Sequence, residues 1–248
     1  MNLLDRDDLP TLLTGCIQTQ PTAKGLLLRR LTQKQLAHFE SLGEPSELRA
    51  RCAAGIMLCI DTDSPTLDLT GRVLTGARTY AGFDVEVDGR AIEAHRIETR
   101  PETRTLRLFD LPTGPSRRIV VTFPQSAIVE LDALTLASGS KATAPAADRE
   151  KYLAIGDSIT HGMDARRPSS AYAVQLARLL QLELLNVGVG GHVYDLEALD
   201  DDLPFKPDLV TIAYGTNDWS RGTSQAEIAA TVEQYLTRLL ESIASAAS

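Results

Sequence analysis

The residues best suited to chemistry are the tripeptide Gly156-Asp157-Ser158 and its surroundings. Four apolar residues, 152–155, precede it, and a short apolar run bounded by a turn signal predicts a buried strand. Gly156 would let the backbone turn sharply, because glycine has no Cβ to clash. Ser158 is then predicted just beyond the carboxyl end of a strand, where a serine can act as a nucleophile. The tripeptide alone is weak evidence, since it is also typical of turns and helix N-caps.

Two further glycine-bearing turns follow predicted strands later in the chain. The predicted short strand 184–187 leads into Gly188-Val189-Gly190-Gly191-His192, and the predicted apolar strand 208–214 leads into Gly215-Thr216-Asn217-Asp218. Helical patterns are predicted at about 170–181 and after the third strand. Alternating strands and helices indicate βαβ units around a parallel sheet, so the three turns should lie on one edge of that sheet.

These turns hold the groups that acyl transfer requires. Ser158 can offer an attacking hydroxyl, Gly191 an unobstructed backbone N–H and Asn217 a side-chain amide. An attacking oxygen with hydrogen-bond donors aimed where negative charge develops is the basis of such catalysis.

The first half of the chain has a different pattern. A capping box at 32–35 predicts a short helix near 32–40, and Asp88-Gly89 predicts a tight hairpin turn. Short strands separated by turns, without long helices between them, predict a β-sandwich or jelly roll. The predicted strands are 56–60, 66–70, 83–87, 105–111, 118–123 and 128–136.

Small and polar residues at 137–147 predict a linker, and hence domains at 1–147 and 148–248. The sandwich is interpreted as a structural or substrate-shaping domain, with carbohydrate binding as the alternative. The net charge of −8 argues against nucleic acid or an anionic membrane as a partner. The start lacks a signal-peptide core and no apolar run approaches transmembrane length, so a cytoplasmic protein is expected.

The cysteines and histidines do not form a metal or disulfide pattern in the sequence. Cys16, Cys52 and Cys59 lack Cys-x-x-Cys spacing, which indicates free thiols in a reducing compartment. The four histidines are scattered along the chain, so no metal site and no cofactor are expected.

The three turns resemble the first three sequence blocks of the SGNH hydrolases, also called GDSL esterases. The matching residues are Gly156-Asp157-Ser158, Asn186 with Gly191, and Gly215 with Asn217-Asp218, in family order. The resemblance covers roughly 150–248, and the preceding sandwich more loosely resembles the jelly-roll domain found before the hydrolase in some bacterial branches. It implies a flavodoxin-like α/β hydrolase domain that cleaves carboxylic esters, such as an acetyl group on a carbohydrate or a small metabolite.

The resemblance also implies residue roles. Ser158 would be the nucleophile, and its own N–H, the Gly191 N–H and the Asn217 amide would form the oxyanion hole. Gly188 is the competing glycine donor, with a tight turn as its alternative role. Gly156, Asp157 and Asp218 would support the site, and no metal or organic cofactor would take part.

The family's fourth block, Asp-x-x-His, supplies the base and its orienting acid, and it is missing here. The last histidine is His192, and no Asp or His follows Asp218. Three explanations stay open: a truncated hydrolase domain, a natural non-catalytic relative, and a substitute base at His161 or His192. We therefore expect a poor esterase, with a non-catalytic carbohydrate-binding protein as the alternative. Without further strands, 209–214 would be an exposed apolar sheet edge that favours homo-oligomers.

Overall fold

The computed structural model describes residues 1–145 and 149–245, so the predicted boundary at 147/148 lies outside the described residues. The helices are α1 (Leu9–Leu12), α2 (Gln33–Ser41), α3 (Glu44–Arg51), α4 (Ser158–His161), α5 (Tyr172–Leu180), α6 (Thr216–Ser220) and α7 (Gln225–Ser245). The strands are β1 (Leu13–Thr14), β2 (Gln18–Pro21), β3 (Leu26–Arg29), β4 (Met57–Thr62), β5 (Thr66–Gly76), β6 (Tyr80–Val87), β7 (Arg90–Glu98), β8 (Arg100–Asp110), β9 (Arg117–Thr122), β10 (Ala127–Leu136), β11 (Ala142–Thr143), β12 (Lys151–Gly156), β13 (Glu183–Asn186) and β14 (Leu209–Ala213). Short 3-10 helices lie at Leu3–Asp5, Pro168–Ser170 and Leu196–Ala198.

Two antiparallel sheets occupy the first half of the chain. One has the order β1-β4-β9-β6-β7, with β11 paired to β4, and the other has the order β2-β3-β10-β5-β8. Their inward side chains share one hydrophobic core, in which Phe83 and Val121 of the first sheet meet Leu69 and Leu131 of the second. The predicted antiparallel sheets are therefore present, and the jelly-roll connectivity stays a prediction.

Two of the strands that the sequence analysis did not predict, β2 and β7, are polar or exposed. β7 is exposed along most of its length, and β2 consists of Gln18, Thr19, Gln20 and Pro21. Apolar alternation marks a strand only where one face is buried, so such edge strands give no clear signal.

A three-stranded parallel sheet of order β13-β12-β14 occupies the second half, as the βαβ pattern predicted. In its register Ala154 lies opposite Asn186, and Gly156 lies opposite Ala213. The carboxyl ends of the three strands therefore meet at one edge. The loops that leave this edge carry Ser158, Gly191 and Asn217.

Helix α2 links the two halves. The predicted capping box is present, because Thr32 Oγ1 accepts from Gln35 N and Gln35 Oε1 accepts from Thr32 N. The Gln35 side chain also donates to Ala198 O at 3.0 Å, and Phe39 shares a core with Leu153 and Leu185 of the parallel sheet. Residues of the first half thus complete the core of the second.

Arg30 is a second link, and it is buried with only 1% of its surface exposed. Its guanidinium donates to the carbonyl oxygens of Cys52 (2.9 Å), Asn186 (2.7 Å) and Arg49 (3.1 Å). Burial lowers the pKa of Arg30 to about 10. Because carbonyl groups at the end of β13 and in the first half share one donor, this side chain fixes their relative positions.

We expect Arg30→Met to lower the free energy of unfolding by roughly 3–5 kcal/mol. Each buried carbonyl left without its partner costs about 1–3 kcal/mol, and relief of the buried charge offsets part of this sum. Urea denaturation measures the change. The control is Arg107→Met, because Arg107 pairs with Asp68 on the surface, where an ion pair contributes about 1 kcal/mol or less. Equal losses in the two variants would contradict the linking role of Arg30.

β14 pairs with β12 alone among the described residues, and its five residues are all half-buried. A strand with an unpaired side is a template for another strand. We expect the average mass in light scattering to rise with protein concentration, as a second copy pairs along β14. A constant monomer mass over a hundredfold range of concentration would contradict this expectation.

Candidate active site

Ser158 begins α4, directly after the turn that ends β12. Gly156 is required at that turn, because a Cβ there would lie 2.2 Å from Thr160 Oγ1 and 2.6 Å from Ala213 O. Asp157 caps α4 by accepting from Ile159 N at 2.9 Å. Ser158 is half-buried, and its Oγ has no hydrogen-bond partner in the described part of the chain. The hydroxyl is therefore held on a rigid turn without being used in the fold.

Hydrogen bonds to one side chain connect the three loops. Asn217 Nδ2 donates to Asp157 Oδ2 at 3.2 Å and to His192 O at 2.9 Å. Asp157 adjoins Ser158, and His192 adjoins Gly191. The structure thus brings together the chain segments that carry Ser158, Gly191 and Asn217.

The glycine-rich loop distinguishes the two candidate glycines. Gly188 N donates to Asn186 Oδ1 at 2.9 Å, and a Cβ on Gly188 would lie 2.7 Å from His161 N. Gly191 has a φ of 77° and its N–H has no hydrogen-bond partner among the residues described. The Gly188 N–H is therefore used within the turn, whereas the Gly191 N–H is free among the described residues.

Asn217 differs from Gly191, because both hydrogens of its side-chain amide are already engaged in hydrogen bonds. An amide nitrogen has two donors, so an oxyanion can be bound only by replacing one acceptor. The 3.2 Å bond to Asp157 is the longer of the two, and its acceptor is a carboxylate oxygen.

His161 is fully buried and connects the glycine-rich loop to the first half of the chain. Its Nε2 bonds Gln125 O at 2.6 Å, and its Nδ1 accepts from Gly190 N at 3.3 Å. Burial, reinforced by the positive charge of Arg30, lowers the pKa of His161 to about 3. Both ring nitrogens are engaged, so this geometry argues against His161 as a base for Ser158 and favours a structural role.

His192 is also buried, but its Nε2 has no hydrogen-bond partner among the described residues. Burial lowers the pKa of His192 to about 4, although the nearby Asp195 carboxylate acts in the opposite direction. The nearest acidic oxygen is Asp195 Oδ2 at 3.6 Å, and His38 Nε2 lies 2.7 Å from the same oxygen. The sequence analysis did not foresee this group, because 154 positions separate His38 from His192 along the chain.

Asp218 is a buried residue of α6, the helix that follows Gly215. Its Oδ1 accepts from Tyr194 N at 3.2 Å, and its Oδ2 has no partner among the described residues. Its position is consistent with a supporting role.

Two arginines that the sequence analysis missed hold the glycine-rich loop. Arg49 of α3 donates to Gly190 O at 2.9 Å, and Arg221 donates to Gly191 O at 2.8 Å. Both bonds orient the peptide groups beside the free Gly191 N–H. Arg49 lies in the first half of the chain, so only tertiary structure could reveal this contact.

Residues 154–247 match the model of the GDSL-like Lipase/Acylhydrolase family. This match confirms the resemblance predicted from the three sequence blocks. The same match confirms the prediction that the chain resembles carboxylic ester hydrolases. No curated protein matches the chain.

Solved structures with the same fold extend the similarity into the first half of the chain. The salicylyl-acyltransferase SsfX3 from a tetracycline biosynthetic pathway has a TM-score of 0.80 and 22% identity, over 93% of this chain and 68% of its own. A family two carbohydrate esterase from Clostridium thermocellum, solved with cellohexaose, has a TM-score of 0.61 and 18% identity, over 77% of this chain and 69% of its own. The acetyl xylan esterase Est2A from Butyrivibrio proteoclasticus has a TM-score of 0.64 and 13% identity, over 98% of this chain and 77% of its own. At these identities the likeness is one of fold.

Among the described residues, no helix combines the length and the apolar character needed to cross a membrane.

The neutral His161 makes the fold sensitive to acid. Its pKa is lower when folded than when unfolded, so the unfolded chain binds the extra proton, and stability falls as the pH drops below about 6.5. We expect this histidine to account for about 1.2 kcal/mol of stability lost between pH 6 and 5.

The test is His161→Gln, which keeps a donor for Gln125 O. Urea denaturation at pH 7.5, 6 and 5 should show a variant that is less stable at pH 7.5 but loses less stability on acidification. Parallel pH profiles for the two proteins would contradict the neutral, buried state of His161.

Proposed function

We propose that the chain acts on carboxylic esters through Ser158, with an acetylated carbohydrate or an esterified small metabolite as substrate. The observation that carries the proposal is the unpartnered Ser158 hydroxyl on a turn that Asn217 ties to the loop of Gly191. The family match over 154–247 supports the reaction class. The carbohydrate esterases among the structures of like fold support the substrate class.

In the proposed reaction Ser158 Oγ attacks the ester carbonyl carbon and gives its proton to solvent, which returns a proton to the departing alcohol. The carbonyl oxygen becomes an oxyanion that accepts from the Ser158 and Gly191 N–H groups and from the Asn217 amide. Collapse of this intermediate expels the alcohol and leaves an acyl group on Ser158, which water then removes. A donor of this kind contributes about 3–4 kcal/mol to lowering the barrier.

The limiting feature of this site is proton removal. Serine at its ordinary pKa is a weak nucleophile and needs an adjacent base. Both His161 nitrogens are engaged in the fold, and residues 219–248 contain neither Asp nor His. We therefore propose that this chain acylates slowly, with about 10³–10⁴-fold acceleration over water from the oxyanion hole and binding.

The first half of the chain is proposed to be a jelly-roll domain that shapes the substrate side of the site, within a division at 1–147 and 148–248. The free thiols of Cys16, Cys52 and Cys59 favour a reducing, cytoplasmic compartment. The charge of −8 argues against nucleic acid as a partner.

We expect a fluorophosphonate probe to label the chain slowly and at Ser158, because the probe needs only an accessible nucleophile and an oxyanion site. Added imidazole should accelerate labelling by supplying the missing base. Intact mass and peptide mapping measure the extent and position. The control is Ser170→Ala, which removes an exposed serine and should label like the parent, whereas Ser158→Ala should not label.

No labelling with or without imidazole would overturn the esterase proposal and favour a non-catalytic binding protein. Rapid turnover of an aryl acetate that is lost in both Ser158→Ala and His192→Gln would instead show that the chain has its own base.

A further inference from the structure

His38, His192 and Asp195 form a group beside the glycine-rich loop. His38 lies near the end of α2, and Asp195 begins the 3-10 helix Leu196–Ala198. One ligand atom from each residue lies within 4.8 Å of the others. The three side chains come from segments distant in the sequence, so the packing of α2 onto the second half creates the group.

A second observation points to a ligand at this place. His192 is only 5% exposed, and its Nε2 has no hydrogen-bond partner among the described residues. Asp195 Oδ2 lies 3.6 Å away, which is beyond hydrogen-bond length. A buried nitrogen without a partner is unfavourable, so an interaction that satisfies it would stabilise the fold.

We propose that His38, His192 and Asp195 bind a Zn²⁺ ion. Two imidazoles and a carboxylate are a donor set that Zn²⁺ takes with bonds of about 2.0–2.1 Å, whereas Mg²⁺ and Ca²⁺ prefer oxygen donors alone. Tetrahedral bonds of that length separate ligand atoms by about 3.3 Å. The 2.7 Å and 3.6 Å distances from Asp195 Oδ2 to the two histidines bracket this value.

The surroundings suit a zinc ion with three protein ligands. The ring of Phe39 packs edge-on against His192 with a centroid distance of 4.8 Å, and Tyr214 lies at 5.9 Å. Asp195 Oδ1 accepts from Glu197 N at 3.0 Å, which orients the carboxylate. The side chains of His38 and Asp195 are 17% and 22% exposed, so water can take the fourth position.

The consequence of metal binding is a rigid glycine-rich loop. His192 O accepts from Asn217, and His192 follows Gly191 in the chain. A zinc ion anchored on α2 would therefore fix the loop that carries the Gly191 N–H. The metal site does not depend on the esterase proposal, because its ligands and its test are separate from Ser158.

The test is Zn²⁺ titration of the chelator-treated full chain by calorimetry, with Co²⁺ as a spectroscopic substitute. We expect one ion per chain, a rise in melting temperature, and intense visible Co²⁺ absorption typical of a tetrahedral site. Asp195→Asn and His38→Gln should each weaken Zn²⁺ binding by about 100-fold or more, since loss of outer-shell support alone costs about 10–100-fold. Asn is as good an N-cap as Asp, so Asp195→Asn should still fold.

The control is His95→Gln, because His95 lies on β7 and bonds Leu108 O away from the group. Its Zn²⁺ affinity should equal that of the parent. The proposal is overturned if the parent does not bind Zn²⁺. It is also overturned if folded Asp195→Asn binds as tightly as the parent, or if His95→Gln loses as much affinity. In those cases His38 and Asp195 form only a hydrogen-bonded pair, or the ion binds elsewhere.

Discussion

The buried side chain of Asn186 holds the candidate active site together. The side-chain amide of Asn186 donates to Thr160 O at 2.7 Å, and its side-chain oxygen accepts from Gly188 N at 2.9 Å. The backbone carbonyl oxygen of the same residue accepts from Arg30. One fully buried residue thus joins α4, the glycine-rich loop and the first half of the chain. Asn186 also packs closely against Gly55, because a Cβ on Gly55 would lie 2.7 Å from Asn186 Cβ. Satisfied buried networks of this kind make a local geometry rigid, because every alternative leaves a polar group without a partner.

This rigidity favours catalysis by donors that are already in place. The Gly191 N–H is oriented by neighbouring carbonyls that Arg49 and Arg221 hold. Asn217, by contrast, is bound to the Asp157 carboxylate. An oxyanion that takes this donor must compete with an existing negative charge, so the gain from Asn217 is smaller than from an unengaged donor. The proposed oxyanion hole is therefore preorganised at the Gly191 N–H and would require a hydrogen-bond exchange at Asn217.

The sequence predicted the parallel sheet well because its strands are short apolar runs that end in polar turns. Buried strands alternate with helices there, so the placement of Ser158, Gly191 and Asn217 on one edge follows from connectivity. Which of the Gly188 and Gly191 N–H groups is already bonded depends on the folded loop, and sequence does not show that. The group of His38, His192 and Asp195 was unforeseen for a related reason. The expectation that scattered histidines make no metal site considered only spacing, whereas α2 brings distant residues together.

The first half of the chain contributes to the core of the second rather than standing apart from it. Phe39 packs with Leu153, and Met57 and Cys59 pack with Tyr152. The family match covers 154–247, yet the apolar surface of that segment is buried partly by residues outside it. Burial of apolar area is the main favourable term in folding, so the α/β segment and the antiparallel sheets stabilise each other. This shared core explains why structures of like fold align over nearly the whole chain at low identity, since packing constrains the arrangement of both halves more strongly than it constrains residue types.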